Sequence, residues 1–343
     1  MRIKIIIEKL KYILVVISAI CSQQPAAFSQ DIHFSQFFQA PLLRNPSLAG
    51  IYTGDIRVQG VYRDQWNSVT NAYRTASIDG EYKMPIGKSD DFITLGMQLL
   101  YDKAGSISWT STYLLPALNY HKSLSADRNS YLSLGFMGGV VQRSIDRSKI
   151  TTNTTYNTGN DGENFNDAHY FYPDGSVGMS YNSNLNDNPD NNYFLGAAYH
   201  HFNRPKVSFY RNSNIELFPK WVFSGGVRFG VSDLSYITIQ ADHSIQGAFQ
   251  ETVAGAMYGL KLGEDPAIPV YTVHAGAFLR WNDALIPTIK IDYTPFSLTF
   301  SYDVNISRLK SSSYGRGGFE ISVSYIGFRK NNSSVDAVRC PRF

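Results

Sequence analysis

The side chains that most often bind metal ions or carry out acid–base chemistry are thinly spread along this sequence. It contains seven histidines, of which only His200 and His201 are neighbours. On one strand these two side chains would point to opposite faces, so they could not bind a single ion together. The other five lack the clustered spacing of a zinc site: His33, His121, His169, His243 and His274. We therefore predict neither a metal ion nor a cofactor.

The stretch NTGNDGENFND, residues 157–167, carries the oxygen ligands that Ca²⁺ prefers. Aligning Gly162 with the invariant glycine of a calcium-binding loop puts Gly159 and Ala168 where ligands are required, so a solvated loop is predicted instead.

A hydrolase needs a nucleophile, a base and an orienting group together. No G-x-S-x-G signature or glycine-rich phosphate loop is present. The pattern predicts no enzyme.

The elements that would position any such residues alternate between apolar and polar side chains. Residues 92–101, 132–141 and 319–325 are examples. Period-two alternation predicts strands with one apolar face, and lengths near ten suit tilted strands that cross a bilayer. About 14 such segments, within a range of 12–16, recur after Gly50. They lie near 56–66, 71–83, 91–101, 108–120, 129–143, 174–183, 192–202, 219–230, 234–243, 248–262, 270–281, 284–293, 296–305 and 317–328.

The connections between these segments separate into short turns on one side and long loops on the other. This asymmetry is typical of an outer-membrane barrel, whose periplasmic turns are short and whose extracellular loops are longer. Closing the sheet removes the unpaired edge groups that hydrocarbon cannot satisfy. A soluble propeller would show a blade repeat, and a two-domain sandwich would show a linker; the sequence has neither. We predict an all-β fold, a single transmembrane antiparallel β-barrel spanning 56–328.

Residues 1–29 have the basic start and short apolar run of a secretory signal peptide, which predicts Sec-type export to the outer membrane. Cleavage is expected after Ser29. A lipoprotein signal at Cys21 is disfavoured, because Ile20 stands directly before it, where a small residue is needed.

The signal carries four basic residues and one acidic residue, so it accounts for the net charge of +3 of the whole chain. The rest is near neutral, which argues against a nucleic-acid partner. Only Cys340 would remain, which excludes an internal disulfide.

The stretch DIHFSQFFQAPLLRNPSLAG, residues 31–50, is neither a good helix nor a good strand, because Pro41 and Asn45-Pro46 interrupt both patterns. We treat residues 30–55 as a periplasmic N-terminal segment. Its apolar side chains need burial, and two arrangements are open. The segment either plugs the barrel or covers the periplasmic mouth as a partner surface.

Several ordered motifs resemble one known family. They are the 31–50 stretch, GVYRDQW at 60–66, PDGSVGMSYNS at 173–183, NNYFLGAAYHHFNRP at 191–205, FSYDVNIS at 300–307, GGFEISVSY at 317–325 and CPRF at 340–343. Together they resemble the PorP/SprF family, outer-membrane proteins of the type IX secretion system that also serves gliding motility. The resemblance covers essentially the whole chain after the signal peptide.

The resemblance implies a non-enzymatic barrel that supports export or surface attachment of a cargo adhesin. The implied partners are outer-membrane lipid, periplasmic and peptidoglycan-associated secretion proteins, and a large surface adhesin with a C-terminal sorting domain. The family offers no catalytic residue to transfer. The motif residues that match it have no assigned role: Asn45, Pro46, Arg63, Trp66, Tyr302, Asp303, Asn305, Ser307, Glu320, Cys340, Pro341 and Phe343.

Strand parity suggests that Asp303, Glu320 and Arg63 form a charge network inside the barrel, either to set strand register or to serve a function. The C-terminal tail, 329–343, is expected in the periplasm. Its Cys340 is either an inert thiol or a redox or lipid site, and either Phe343 or Phe328 is the strand-terminal aromatic residue.

A diffusion porin or small-molecule transporter is the alternative function. A porin needs an open polar lumen. Bulky inward candidates indicate a filled interior instead: Phe92, Leu100, Met137 and Val141.

Overall fold

A computed structural model describes residues 31–67, 72–87, 90–151, 155–156, 168–186, 188–210, 215–265, 269–308, 310 and 314–328. Three predicted features lie outside these residues: the signal peptide at 1–29, the loop at 157–167, and the tail at 329–343 with Cys340, Pro341 and Phe343. The described residues from Ile32 onward form one compact unit.

Fourteen antiparallel strands form a closed barrel in the described part of the chain, in which β1 pairs with both β2 and β14. The predicted all-β barrel of about 14 strands is therefore confirmed. The strands are β1 (Ile56–Gln65), β2 (Tyr73–Pro85), β3 (Phe92–Ala104), β4 (Trp109–Ser125), β5 (Ser130–Ser144), β6 (His169–Asn184), β7 (Asn192–His200), β8 (Lys220–Ser232), β9 (Ser235–Gln246), β10 (Phe249–Leu262), β11 (Tyr271–Arg280), β12 (Ala284–Tyr293), β13 (Phe296–Asn305) and β14 (Arg316–Gly327).

The alternation of the strands puts apolar side chains on the outer face, and most buried polar side chains of the strands lie on the inner face. In β4, Leu114 and Leu118 are 49% and 50% exposed on the outer face, whereas Asn119 and His121 are fully buried on the inner face. A soluble fold would place these residues the other way round. The outer face is therefore the one that lipid solvates, and the closed ladder leaves no strand edge in the hydrocarbon.

The three longest connections, 145–168, 201–219 and 306–315, all leave the same end of the barrel, the end at which β1 finishes. We call this end the loop mouth, and we call the other end, where β1 begins, the turn mouth. Turns at the turn mouth are as short as Asp233–Leu234 and Thr294–Pro295. No helix among the described residues has both the length and the apolar content to cross a membrane.

β6 begins at His169, five residues before the predicted start at 174, and Pro173 explains the difference. At that level β6 pairs only with β5, because β7 ends at His200, which is opposite Ser176. A proline fits such a half-paired edge, since the missing N–H would have no ladder partner there.

Before β1, the chain forms three short helical turns: 3₁₀ turns at Phe37–Gln39 and Pro46–Leu48, and between them α1 (Pro41–Arg44). Pro41 and Pro46 each begin a turn, the position at which a missing N–H does no harm. The Asn45 side chain accepts hydrogen bonds from the Ser47 backbone N–H (2.9 Å) and hydroxyl (2.8 Å). These local bonds make the stretch compact, which explains why it is neither strand nor long helix.

Candidate functional site

The segment Ile32–Asp55, called the luminal segment below, lies inside the barrel. Each of the three buried apolar clusters joins it to barrel strands. Leu42 packs in the first cluster with residues such as Val141, Phe37 packs in the second with Phe278, and Leu48 in the third. The hydrophobic core of the described residues is thus built around this segment.

At one end of the luminal segment, two backbone N–H groups donate to a single buried carboxylate. The Ser35 N–H donates to Glu320 Oε1 at 2.6 Å, and the Gln36 N–H donates to Oε2 at 2.7 Å. Arg63 Nε lies 3.0 Å from Glu320 Oε1, and Arg63 Nη2 lies 3.1 Å from Asp303 Oδ2. The three predicted charged residues therefore meet inside the barrel.

This network also contains Arg280 of β11, which the sequence reading missed. Its Nη2 donates to Asp303 Oδ2 at 2.5 Å, and its Nη1 donates to the Ser35 hydroxyl at 3.0 Å. Arg280 belongs to none of the family motifs, and it reaches Asp303 because β11 and β13 lie on either side of β12 at the loop mouth. The network holds the luminal segment as well as the strands, a role that neither sequence alternative included.

In the middle of the lumen, Arg44 anchors the luminal segment to β9. Its Nε donates to both carboxylate oxygens of Asp242 at 2.8 Å. The guanidinium lies between the rings of Phe37 and Phe194, with its central carbon 4.8 and 4.9 Å from their centroids. This combination of charge pairing and ring stacking is one that arginine suits better than lysine.

At the other end, side chains of β2 and β4 bind the backbone of the luminal segment. Asn119 Nδ2 donates to the carbonyls of Ser47 (2.6 Å) and Ala49 (2.8 Å). The Gly50 N–H donates to Glu81 Oε2 at 2.7 Å. Gly50 has a φ of 84°, and a Cβ there would meet Thr94 Oγ1 at 2.1 Å, so no other residue fits the position without a shift.

These contacts order the luminal segment along the barrel axis. Arg63 lies near the final residue of β1, so residues 33–36 are near the loop mouth. Asp55 directly precedes β1 and donates its N–H to the Gly327 carbonyl, so it lies at the turn mouth. The luminal segment therefore runs along the lumen between the two mouths; the sequence had left open whether it plugs the barrel or covers one mouth.

Residues 203–210 and 215–218 of the β7–β8 connection lie over part of the loop mouth. They pair with each other, as in the hydrogen bond from the Val207 N–H to the Ile215 carbonyl at 2.9 Å. The Phe209 ring contacts Trp109 and Tyr170, with centroids 5.3 and 4.8 Å away. Val207 packs against the cluster that contains Leu42. This connection and the luminal segment together fill the β3–β6 side of the mouth.

The histidine at the loop mouth is held neutral. Burial lowers the pKa of His33 well below its usual value, and the positive charges of Arg63, Arg280 and Lys220 lower it further. Its Nε2 lies 3.7 Å from Glu251 Oε2. A neutral imidazole avoids adding a fourth positive charge to this end of the lumen.

The remaining family-motif residues that the structure describes occupy four environments. Asn45 and Pro46 are buried inside the barrel with the luminal segment. Asn305 and Ser307 form a turn after β13, in which Asn305 Oδ1 accepts from the Ser307 N–H at 2.9 Å. Tyr302 is 37% exposed on the outer face. The last described member, Trp66, follows β1 at the loop mouth with a φ of 62°.

The prediction that His200 and His201 point to opposite faces is wrong. β7 ends at His200, and His201 has a φ of 55°, so the chain turns between them and both rings are buried. His201 Nδ1 contacts Asp174 Oδ2 at 2.8 Å, and His200 Nδ1 contacts the Ser176 hydroxyl at 3.0 Å. Within the described ranges, no three His, Cys, Asp or Glu side chains are grouped to hold a metal ion.

Residues 26–325 match a family model described as type IX secretion system membrane protein PorP/SprF. Among curated proteins there is no significant match. Among solved structures, the toluene transporter TodX of Pseudomonas putida is similar at 12% identity with a TM-score of 0.47, over 84% of this chain and 93% of that chain. The toluene transporter TbuX of Ralstonia pickettii is similar at 9% identity with a TM-score of 0.49, over 84% and 92%. CdiB of Acinetobacter baumannii is similar at 10% identity with a TM-score of 0.46, over 79% and 60%.

Proposed function

Because the chain belongs to the PorP/SprF family of type IX secretion system membrane proteins, we propose that it is a non-enzymatic barrel supporting export or surface attachment of a cargo adhesin. Its location is the outer membrane, as its family and its closed, lipid-solvated barrel indicate. In this proposal the turn mouth faces the periplasm and its peptidoglycan-associated secretion partners. The loop mouth faces the cell exterior and an adhesin with a C-terminal sorting domain.

The filled lumen is the observation that supports this function most directly. The luminal segment is bonded to Glu320 on β14, Asp242 on β9 and Asn119 on β4, so it is tied to widely separated parts of the barrel wall. A lumen occupied in this way leaves the two mouths as the working surfaces. Short turns surround one mouth and long loops surround the other, so the two surfaces differ and suit different partners.

The test is a strain in which the gene is deleted and then restored. We expect the deletion to lower the amount of cargo with C-terminal sorting domains at the cell surface, measured by protease shaving and mass spectrometry. The restored gene should return it, and gliding should follow the same pattern in a motile host. Unchanged surface cargo in the deletion strain would overturn the proposal.

The alternative, a porin or small-molecule transporter, predicts a different electrical behaviour. We expect the purified protein to show no steady open channels in planar bilayers, because the luminal segment occupies the path between the mouths. A known porin measured in the same bilayers serves as the control. Steady open channels from the full chain would favour the alternative.

A further inference from the structure

At the turn mouth, the luminal segment hydrogen-bonds to side chains of β2 and β4. These side chains are Glu81 and Asn119. The strands β8–β12 stand on the opposite side of the barrel. Their inward side chains near the turn mouth are polar and keep contact with solvent; Lys290 is 19% and Asp292 is 30% exposed at the side chain.

Tyr236 of β9 is the centre of a group of nitrogen-bearing side chains on that side. The guanidinium carbon of Arg228 lies 4.3 Å from its ring centroid, and Lys261 Nζ lies 5.8 Å from it. The His274 ring meets the same tyrosine edge-on at 5.7 Å. Three nitrogen-bearing side chains from β8, β10 and β11 therefore converge on one ring.

The two lysines of this region are already paired with carboxylates. Lys261 Nζ lies 2.5 Å from Asp190 Oδ2, and Lys290 Nζ lies 3.2 Å from Asp292 Oδ1. Asp292 also accepts from His274 Nε2 at 2.9 Å. Each of these pairs compensates its own charge.

Arg228 differs from the lysines because no carboxylate compensates it within the described residues. It is only 8% exposed, and its hydrogen bond among them is from Nε to the Thr238 hydroxyl at 3.3 Å. A buried guanidinium without a counter-charge is costly, even with an aromatic ring beside it. Its two terminal nitrogens are the part of the fork that binds carboxylates in parallel.

We propose that Arg228 and the Tyr236 ring form a binding site for a single carboxylate that enters from the turn mouth. One uncompensated positive charge matches one carboxylate. A phosphate dianion would leave one negative charge without a partner, since both lysines are already paired. That the carrier is an acidic segment of a periplasmic secretion partner rests on the proposed function, whereas the site itself rests on the contacts of Arg228.

The test uses the purified full chain in detergent at pH 7, with acetate as the probe. Acetate should replace chloride at constant ionic strength while the melting temperature is followed. We expect a saturable rise of a few degrees, with half-saturation on the order of 1 mM. Arg228→Gln should abolish the response. Arg228→Lys should keep the charge but raise the half-saturation several-fold, because it lacks the fork.

Arg308→Gln is the matched control, because it removes the same charge from an exposed position at the loop mouth. It should respond to acetate as the wild type does. Equal responses of wild type and Arg228→Gln would overturn the site, as would a stronger response to inorganic phosphate than to acetate. Absence of an acetate response in the wild type would overturn the site alone, because the loss of surface cargo in the deletion strain tests the proposed function independently.

Discussion

Buried carboxylates position the luminal segment at the scale of single residues. Glu320 accepts two of its backbone N–H groups, Asp242 binds Arg44, and Glu81 accepts from Gly50. A carboxylate in such a place is stable only when it is paired and hydrogen-bonded. The segment supplies those donors, so the barrel and the segment satisfy each other's polar groups.

Glu320→Gln tests this mutual dependence. The substitution removes the charge that Arg63 faces at 3.0 Å and weakens the two charge-assisted bonds from Ser35 and Gln36. We expect a loss of about 3 kcal/mol of unfolding free energy, measured by denaturant titration in detergent. Glu216→Gln, at an exposed position of the β7–β8 connection, is the control and should change little. A Glu320→Gln barrel as stable as the wild type would contradict the anchoring role.

Gly50→Ala and Gly87→Ala separate steric fit from backbone strain. Both glycines have positive φ, 84° and 68°, but a Cβ at Gly87 meets nothing within 4 Å. We expect Gly87→Ala to cost about 1 kcal/mol from its left-handed backbone alone. Gly50→Ala should cost clearly more, about 3 kcal/mol, because Thr94 must also move. Equal losses in the unfolding free energy would show that the wall at Gly50 yields easily.

Asp91 gives the barrel a defined acid sensitivity. It lies in the turn before β3, where hydrogen bonds from Lys122 and then Tyr120 lower its pKa to about 2. A lowered carboxylate pKa stabilises the folded state above the unfolded value near 4, and this contribution disappears as the pH falls toward 2. We expect the melting temperatures of the wild type and Asp91→Asn to converge between pH 4 and pH 2. Parallel curves over that range would exclude the contribution.

At the scale of elements, the luminal segment is the structure that occupies the interior of the barrel. Its short helical turns, begun by Pro41 and Pro46, let it pass along the lumen without offering a strand edge to the wall. Its direction places residues near His33 at the loop mouth, although the chain enters β1 at the turn mouth. The residues that begin the luminal segment therefore lie at the loop mouth, the end of the barrel opposite to the one where β1 begins.

Cysteine labelling in intact cells tests this direction. In a chain with Cys340 replaced, we expect His33→Cys to react with a membrane-impermeant maleimide added outside, since the loop mouth should face the exterior. Asp265→Cys, at an exposed position of the turn mouth, is the matched control and should react only after the outer membrane is opened. Labelling of Asp265→Cys alone from outside would reverse the assigned orientation.

At the scale of the whole molecule, the barrel exposes large apolar side chains that a soluble protein would bury. Side chains such as Leu195 (62% exposed) and Phe171 (60%) cover its outer face, while buried polar groups and three apolar clusters fill the interior. We expect the purified protein to need detergent to stay monodisperse in size-exclusion chromatography, and to change its gel mobility on heating. A monodisperse sample in plain buffer would contradict a lipid-solvated exterior.

The sequence by itself determined the closed barrel, because alternation with period two and asymmetric connections are local properties that any stretch of the chain displays. It also determined that Arg63, Asp303 and Glu320 share the interior, since strand parity follows from counting. The tertiary structure alone decided that Arg280 joins them, that His201 turns inward after β7, and that the luminal segment runs between the mouths. Arg280 meets Asp303 because β12 lies between their two strands, and His201 turns inward because β7 ends at His200. The path of the luminal segment depends on contacts with strands all around the closed barrel. The period-two pattern encodes none of these relations.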